Sequence, residues 1–147
     1  MKEVITMQLV EYKNKGKFDN DFIYGNQWIP LMEKVTLKDK IHLGSELDKK
    51  CSGGQISHIN IQSRFPNCES AWNLTNEIAK QGVIYFAFNM KINVCEDEHA
   101  FIGTHCRCGK TAVNQFTRVV GFLTPKSSYS APRKKEFEAR KWYKVTD

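Results

Sequence analysis

The segment Val83–Asn89 reads VIYFAFN, an unbroken run of β-branched and aromatic residues. Such a run is typical of a strand that is buried on both faces, because a half-exposed strand alternates apolar with polar side chains. An uncovered strand of this kind is an aggregation hazard. The run therefore predicts an internal sheet, which either the remaining segments of the chain cover or a larger sheet completes after docking.

A strand and a helix are predicted directly before this run. In QISHINIQ, from Gln55 to Gln62, Ile59 and Ile61 share one face, which favours a strand. The next stretch, CESAWNLTNEIAKQ, has apolar residues at roughly helical spacing, with Asn67 as the expected cap and Gly82 as the expected stop. The predicted apolar side consists of Ala71, Trp72, Leu74, Ile78 and Ala79. Strand, helix and buried strand in this order predict a βαβ unit with a parallel sheet.

Length and composition are those of one globular domain. With 147 residues, 41% of them hydrophobic and 26% charged, the chain is outside the disordered and collagen-like classes. No apolar run approaches about 18 residues, and the N-terminus lacks the cleavage pattern of a signal peptide. We therefore expect a cytoplasmic protein without a membrane-spanning segment. Its first thirty residues, polar and rich in Gly and Asn, are expected to form an extended arm with a short strand.

The net charge of +6 is concentrated near the C-terminus, where six basic residues and two acidic ones lie between Arg133 and Lys144. Charge gathered in this way favours one of two interpretations. One is a polyanionic partner, such as nucleic acid or nucleotide phosphates. The other, which we favour, is the solvated face of a terminal helix.

Three of the five cysteines lie close together with two histidines. Cys95-x3-His99 and Cys106-x-Cys108 form two short pairs that six residues separate. Two such pairs on facing turns supply the four N or S donors of tetrahedral zinc. Gly109 suits a turn whose backbone N–H groups point toward thiolate sulfur. Because four protein ligands leave no open position, a zinc ion here is expected to be structural.

Other residues near this cluster leave the ligand set open. Glu98 and His105 are competing donors within the same segment. The alternative to a metal site is a loop with ordinary thiols. Cys51 and Cys68 lie apart from the cluster and are expected to be buried or inert thiols.

The run TRVVGFL, from Thr117 to Leu123, is β-like and apolar with Gly121 inside it. An isolated glycine in a strand ordinarily marks a bulge or a close backbone approach. Here the order of the motifs resembles the C-terminal end of anaerobic (class III) ribonucleoside-triphosphate reductases, which are glycyl radical enzymes. The resemblance covers about residues 24–142, through GNQWIPL, SGGQISHINI, YFAFN, the Cys/His pairs, TRVVGF-x-x-P and RKKEFEARKW.

This resemblance implies an α/β fold in three parts. Residues 1–90 would form the N-terminal arm and the last elements, including the βαβ unit, of a glycyl radical α/β barrel. Residues 91–112 would form a small zinc-ribbon module, and residues 113–147 a glycyl radical loop and a C-terminal helix. By position, Gly121 would carry the radical. The implied zinc ligands are Cys95, His99, Cys106 and Cys108, the second pair being one residue shorter than the family's usual C-x2-C.

The resemblance also implies an activity, namely reduction of ribonucleoside triphosphates to deoxyribonucleotides for DNA replication without oxygen. In the family the radical passes to a cysteine, whose thiyl abstracts the 3′-hydrogen of the ribonucleotide. Neither Cys51 nor Cys68 matches that cysteine, so we expect a larger partner chain to supply it together with the nucleotide sites. An activase with an iron–sulfur cluster and S-adenosylmethionine would generate the radical at Gly121, and formate or a small redox protein would be the reductant.

Two other functions remain open at this point. A free-standing piece could act as a spare part that replaces the tail of an oxygen-cleaved glycyl radical enzyme. In a different class, a zinc knuckle and a basic C-terminal helix would form a zinc-ribbon module that binds nucleic acid or protein without radical chemistry. Such a module would tolerate Gly121→Ala.

Overall fold

The computed structural model describes residues 17–18, 21–22, 27–52, 56–119 and 121–145. Its helices are α1 (Leu37–Asp48), α2 (Cys68–Lys80) and α3 (Ala131–Ala139), with a short 3-10 helix at Lys126–Ser128. Its strands are, in chain order, β1 (Lys17–Phe18), β2 (Asp21–Phe22), β3 (Ser57–Asn60), β4 (Phe86–Asn89), β5 (Ile92–Val94), β6 (Ala100–Phe101), β7 (Asn114–Arg118) and β8 (Leu123–Pro125). None of the helices in this described part is long and apolar enough to cross a membrane.

The predicted βαβ unit is confirmed. Strands β3 and β4 pair in parallel, from Ser57 opposite Phe86 to Asn60 opposite Asn89, and α2 connects them. The segment after α3 runs along the other side of β3, where Tyr143 forms a parallel bridge. The core between these strands and the first two helices contains Ile41, Ile59, Ile61, Ile78, Val83 and Tyr143.

Helix α2 begins and ends close to the predicted positions. The Asn67 Oδ1 accepts a hydrogen bond from the backbone N–H of Ser70. Gly82 has φ +89° just beyond the helix, a conformation that favours glycine. The predicted apolar side is only partly buried, since Ile78 packs in the core but Trp72 is 64% exposed.

The run Val83–Asn89 forms a shorter and more exposed strand than predicted. Strand β4 covers only its last four residues, and Ile84 and Tyr85 are 71% and 59% exposed. The Ile84 N–H donates to the Asp48 carboxylate at the end of α1 (3.1 Å) and to no strand. The described residues therefore do not bury this run on both faces, and the alternative that a larger sheet covers it after docking stays a prediction.

Helix α1 is missing from the sequence-based prediction. It begins at a regular cap, where the Thr36 Oγ1 accepts a hydrogen bond from the Asp39 N–H at 3.1 Å. Its buried face, however, includes Lys40, Ser45 and Asp48. Because polar side chains occupy that face, the apolar periodicity that normally reveals a helix is absent.

The buried Lys40 makes the stability of the fold dependent on pH. The side chain is almost fully buried, and burial together with the positive charge of Arg140 lowers its pKa from 10.5 to about 8. Between these two pH values the unfolded chain binds more protons than the folded one, so the free energy of unfolding rises as the pH rises from about 8 toward 10. Above pH 10 the Tyr143 hydroxyl, whose pKa burial raises to about 12, acts in the opposite direction.

We expect Lys40→Met to increase the free energy of unfolding at pH 7 by about 3 kcal/mol, because the variant no longer buries an ammonium group. The variant should also lose most of the increase in the free energy of unfolding between pH 8 and 10. Urea unfolding at pH 7, 8 and 9.5 measures both effects, with Lys38→Met as the control, since Lys38 lies exposed on the same helix. If the free energy of unfolding depends on pH equally in the Lys40 variant and in the native chain, the lowered pKa of Lys40 is not its cause.

A second sheet follows the βαβ unit and is entirely antiparallel, with the strand order β6-β5-β7-β8. Strands β7 and β8 form a hairpin whose last pair is Arg118 opposite Leu123. The run TRVVGFL is therefore two strand ends and a turn, and Gly121 lies in the turn. Since β5 pairs with β7, this sheet spans both the predicted segment 91–112 and the predicted segment 113–147.

The basic C-terminal segment is only partly the solvated helix face that we favoured. Lys134 and Lys135 are exposed on α3, as that interpretation requires. Arg140, which follows the helix, is instead 4% exposed. Two of its nitrogens bind the Glu136 carboxylate at 2.9 and 3.0 Å. The prediction is therefore wrong for Arg140, whose guanidinium is engaged inside the protein.

The described part of the N-terminal arm contains a short pair of strands. Strands β1 and β2 pair in an antiparallel manner, in agreement with a short strand in the arm. The rest of the arm up to residue 26 lies outside the described residues, as do residues 53–55 of the SGGQ motif. Cys51 and Cys68 are both exposed, so burial is wrong for these thiols, and the alternative that they are inert stays a prediction.

Candidate metal centre and glycine hairpin

Two turns with the same hydrogen-bond pattern hold the Cys/His cluster. In the first, the Cys95 carbonyl accepts a bond from the Glu98 N–H (3.0 Å), and the Cys95 N–H donates to the His99 carbonyl (3.2 Å). In the second, CRCGK from Cys106 to Lys110, the equivalent two bonds measure 2.9 and 3.0 Å. The turns lie on either side of β6, so each presents its side chains toward the other.

The fourth residue of each turn has a left-handed backbone. Gly109 has φ +82° and Glu98 has φ +59°. This conformation explains why the second turn carries a glycine at this position. In the first turn the same position is occupied by a glutamate, whose side chain is exposed.

The four predicted ligands are brought together. The Cys95 and Cys108 sulfurs are 3.7 Å apart, and the Cys106 sulfur lies 3.6 Å from the His99 Nδ1. All four donor atoms lie within 4.8 Å of one another. Each short distance joins one turn to the other, so the cluster connects the two turns.

These distances fit a tetrahedral zinc ion. With zinc–sulfur bonds of about 2.3 Å and zinc–nitrogen bonds of about 2.0 Å, tetrahedral geometry puts two sulfurs about 3.8 Å apart and a sulfur and a nitrogen about 3.6 Å apart. A disulfide would need its sulfurs about 2.05 Å apart. The thiols of Cys95 and Cys108, at 3.7 Å, therefore do not form a disulfide, and their separation is close to that of two sulfurs on one zinc ion.

The electrostatics of the cluster favour a thiolate at Cys106. A hydrogen bond from the Cys108 backbone N–H, followed by bonds with the neighbouring donors, lowers the pKa of the Cys106 thiol from 9.0 to about 7. At Cys108 the Lys110 backbone N–H lowers the pKa, but the Cys106 side chain and burial outweigh it, so the net pKa is raised. The thiolate is the form that binds metal.

The two competing donors do not join the cluster. The His105 Nδ1 is bonded to the Thr104 Oγ1 at 2.9 Å on an exposed stretch. Among the described residues, the group that could hold a metal contains Cys95, His99, Cys106 and Cys108 and neither Glu98 nor His105. The four residues that the resemblance implied as ligands therefore lie together, apart from Glu98 and His105.

The cluster is covered on one side only. Cys95 and Cys106 are buried with Phe101, and Ala112 packs against them. Cys108 is exposed. Because this small apolar group is the whole core around the cluster, a metal ion would contribute much of the stability of this part of the chain.

The second feature is the β7–β8 hairpin that carries Gly121. Its last strand pair is Arg118 opposite Leu123, and Phe122 beside the glycine is 70% exposed. Gly121 itself is exposed as well. The turn therefore presents the glycine and a large apolar side chain on the surface of this chain.

Nothing in the local structure requires a glycine at position 121. Its φ is not in the left-handed region, in contrast to Gly82, Gly103 and Gly109. A Cβ built on Gly121 would meet no atom within 4 Å among the described residues. The two ordinary structural reasons for a glycine, backbone conformation and close packing, are therefore absent.

Several buried polar residues around the hairpin were missed by the sequence analysis. Asn89, at the end of β4, accepts a hydrogen bond from the Arg118 N–H. Arg140 donates to Thr117 and to the Arg118 carbonyl. Asn89 ends an apolar run and Arg140 lies in a basic segment, so neither pattern distinguishes them from solvated residues.

Comparisons with known proteins agree on one family. A model of the family described as anaerobic ribonucleoside-triphosphate reductase matches residues 3–143. A solved structure named anaerobic ribonucleotide reductase is 38% identical, with a TM-score of 0.78 over 97% of this chain and 24% of its own. A search of curated proteins finds no match.

Two structures of the anaerobic ribonucleotide reductase from Thermotoga maritima are also similar. The one with glycerol in the active site is 45% identical, with a TM-score of 0.63 over 81% of this chain and 18% of its own. The one in complex with dATP and CTP is 40% identical, with a TM-score of 0.63 over 92% of this chain and 23% of its own. This chain thus spans less than a quarter of the length of the structures it matches.

Proposed function

Because this chain belongs to the anaerobic ribonucleoside-triphosphate reductase family, we propose that it is the part of such an oxidoreductase that carries the glycyl radical. Together with a larger chain, it reduces ribonucleotides to deoxyribonucleotides. The larger chain supplies the thiyl cysteine and the nucleotide sites. Residues 1–90 complete the barrel of that chain, residues 91–112 form the zinc ribbon, and residues 113–147 form the radical loop and the C-terminal helix.

The observation that carries this proposal is the glycine at the tip of the β7–β8 hairpin. Gly121 is exposed, needs no left-handed backbone and has open space where a Cβ would lie. The local structure does not account for the glycine, which supports a chemical role for its Cα. A radical at a glycine Cα is stabilised by delocalisation into both flanking peptide groups, which have to approach one plane, and a side chain would crowd that plane.

The activation step takes one hydrogen atom from this chain. The Cα–H bond of Gly121 breaks homolytically, and the hydrogen atom forms a C–H bond on the nucleoside radical that the activase makes from S-adenosylmethionine. One unpaired electron remains on Gly121. In each turnover the Gly121 Cα takes the hydrogen atom from the S–H bond of the cysteine in the larger chain, which leaves the unpaired electron on sulfur, and the reverse transfer restores the glycyl radical. The exposure of the hairpin tip suits both encounters.

Zinc in the Cys95, His99, Cys106 and Cys108 cluster has a structural role in this proposal. Four N and S donors on one ion, here within 4.8 Å of one another, would leave no open coordination position for a substrate. When bound, the ion would hold the two turns together. Strand β5 leads directly into the first turn and pairs with β7, so the cluster anchors the sheet that ends in the glycine hairpin.

The outer edge of β4 is the surface that we assign to the larger chain. Strand β4 bonds to β3 through its alternate residues, as the bonds to the carbonyls of Tyr85 and Asn89 show. The backbone groups of Phe86 and Phe88 therefore point away from β3, and no strand of the described chain pairs with them. Addition of a strand from the larger chain would satisfy these groups and cover the exposed Ile84.

The test uses the oxygen sensitivity of a glycyl radical. The chain is incubated anaerobically with the candidate larger chain, S-adenosylmethionine, a reductant and an iron–sulfur activase whose competence is shown on a full-length family member. Exposure to air and intact-mass measurement follow. We expect a new species truncated at Gly121. An intact chain, in an assembled complex with a competent activase, would contradict the proposal and favour the zinc-ribbon binding module.

The same reaction separates the split enzyme from the spare part. A split enzyme restores nucleotide reduction only to a larger chain that lacks these elements. A spare part restores it to a full-length reductase that air has already cleaved at its glycine. The deoxyribonucleotide yield of the two mixtures therefore distinguishes the two roles.

A further inference from the structure

The position of Gly121 depends on Arg118, the residue that ends β7. Arg118 pairs with Leu123 at the mouth of the hairpin, so only residues 119–122 separate it from β8. In so short a turn, the backbone of the residue at the mouth determines where the tip lies. The contacts of Arg118 are therefore the contacts that place Gly121.

A chain of buried amides holds the N–H of Arg118. This N–H donates to the Asn89 Oδ1 at 2.9 Å. The Asn89 Nδ2 donates to the Asn60 Oδ1 at 2.8 Å, and the Asn60 Nδ2 donates to the Lys141 carbonyl at 3.0 Å. Asn60 and Asn89 are opposite each other in the parallel pair and are 0% and 1% exposed. Each buried amide needs its hydrogen-bond partners, so this series of hydrogen bonds fixes the backbone of Arg118 relative to the core.

A buried guanidinium holds the carbonyl of the same residue. The Arg140 Nη1 donates to the Arg118 carbonyl at 3.2 Å and to the Thr117 Oγ1 at 3.1 Å. Arg140 is itself fixed by two bonds to Glu136, and the two side chains are 0% and 3% exposed. A buried, bidentate pair of this kind has little freedom to move. The backbone of Arg118 is thus held from both sides.

The side chain of Arg118 then reaches the glycine. Its Nη1 donates a hydrogen bond to the Gly121 carbonyl across the turn. No acidic partner of Arg118 is found among the described residues, so the Gly121 carbonyl is the group that its guanidinium binds. This carbonyl belongs to one of the two peptide groups over which a radical at Gly121 delocalises. A cationic donor on the carbonyl oxygen favours delocalisation in that direction and restrains the peptide plane.

From these contacts we infer that Arg118 is the positioning residue of Gly121: its clamped backbone places the turn, and its guanidinium holds the glycine carbonyl in the plane that the radical needs. The inference rests on the proposed radical at Gly121. Hydrogen bonds to charged groups are strong enough that losing this one is expected to lower the radical yield about tenfold. The fold should survive, because the guanidinium lies at the surface of the turn.

The experiment compares the native chain with Arg118→Gln and Arg118→Lys after anaerobic activation with the larger chain and the competent activase. Electron paramagnetic resonance gives the radical yield and the splitting by the remaining α-hydrogen, and thermal unfolding monitors the fold. Arg64→Gln is the control, since Arg64 is exposed on a different loop. We expect about a tenfold lower yield and an altered splitting for Arg118→Gln, partial rescue by Arg118→Lys, and unchanged behaviour of Arg64→Gln.

A measurement on the chain before activation tests the role of Arg118 separately from radical formation. The carbonyl ¹³C shift of Gly121, measured by NMR on the unactivated chain, should change in Arg118→Gln and not in Arg64→Gln. Native radical yield, splitting and carbonyl shift in Arg118→Gln would overturn the inference and leave the proposed function intact. No radical in the native chain, with an activase that works on a full-length family member, would overturn the proposed function and the inference with it.

Discussion

Replacing Gly121 with alanine is expected to abolish both the radical signal and the cleavage by air, while leaving fold and metal content unchanged. An alanine Cα radical would carry a methyl group in the plane of the two flanking peptides, and its α-hydrogen is harder to reach. The fold should tolerate the change because a Cβ at position 121 meets no described atom within 4 Å and φ is not left-handed. We therefore expect a change in the free energy of unfolding of less than about 0.5 kcal/mol.

Gly44→Ala is the matched control for this experiment. Gly44 lies inside α1, far from the hairpin in sequence. A Cβ built on Gly44 also meets no described atom within 4 Å, so the same glycine-to-alanine change can be made there. The control should retain the radical signal and gain up to about 1 kcal/mol of stability, since glycine is unfavourable inside a helix. Air cleavage of Gly121→Ala at the native level would contradict the radical assignment.

The second large effect is expected at the metal cluster. Cys106→Ser should reduce bound zinc from one equivalent to almost none, because it removes one of four donors and the thiol with the lowered pKa. Even loss of a residue that only supports a ligand weakens metal binding about 10- to 100-fold, so loss of a ligand should cost more. The sheet around β5 and β6 should lose hydrogen-exchange protection, since Phe101 and Ala112 alone give it little core.

The controls for the metal experiment come from the same sequence. Cys51→Ser and Cys68→Ser remove exposed thiols outside the cluster and should keep the full zinc content. His105→Ala should also keep it, because His105 is bonded to Thr104 and not to the cluster. Metal analysis of the purified variants decides the ligand set. Full zinc retention in Cys106→Ser together with loss in His105→Ala would transfer the ligand role to His105.

The resemblance to anaerobic ribonucleoside-triphosphate reductases was visible in the sequence and is confirmed by the family match over residues 3–143. The motifs that carried it are short and local. Some of their residues have a local reason, such as Gly109, whose φ is positive. Local requirements of this kind can be read without knowing the rest of the fold.

The failures of the sequence analysis lie where a residue depends on distant partners. Helix α1 was missed because its buried face is polar. Whether other segments of this chain cover Ile84 could not be read from the apolar run, and the structure leaves it exposed. Arg140 was placed among solvated residues, since composition cannot distinguish a buried guanidinium paired with Glu136 from a free one.

By itself, the sequence determined the family, the βαβ order, the cap of α2 and the residues proposed as zinc ligands and as radical site. Only the tertiary structure decided that the four donor atoms lie within 4.8 Å of one another, that Gly121 lies in the turn of a hairpin and that Asn89 and Arg140 bond to the base of that hairpin. The physical reason is one of range. Backbone conformation and capping act between neighbours in the sequence, whereas burial and hydrogen-bond pairing act between residues that only the folded chain brings together.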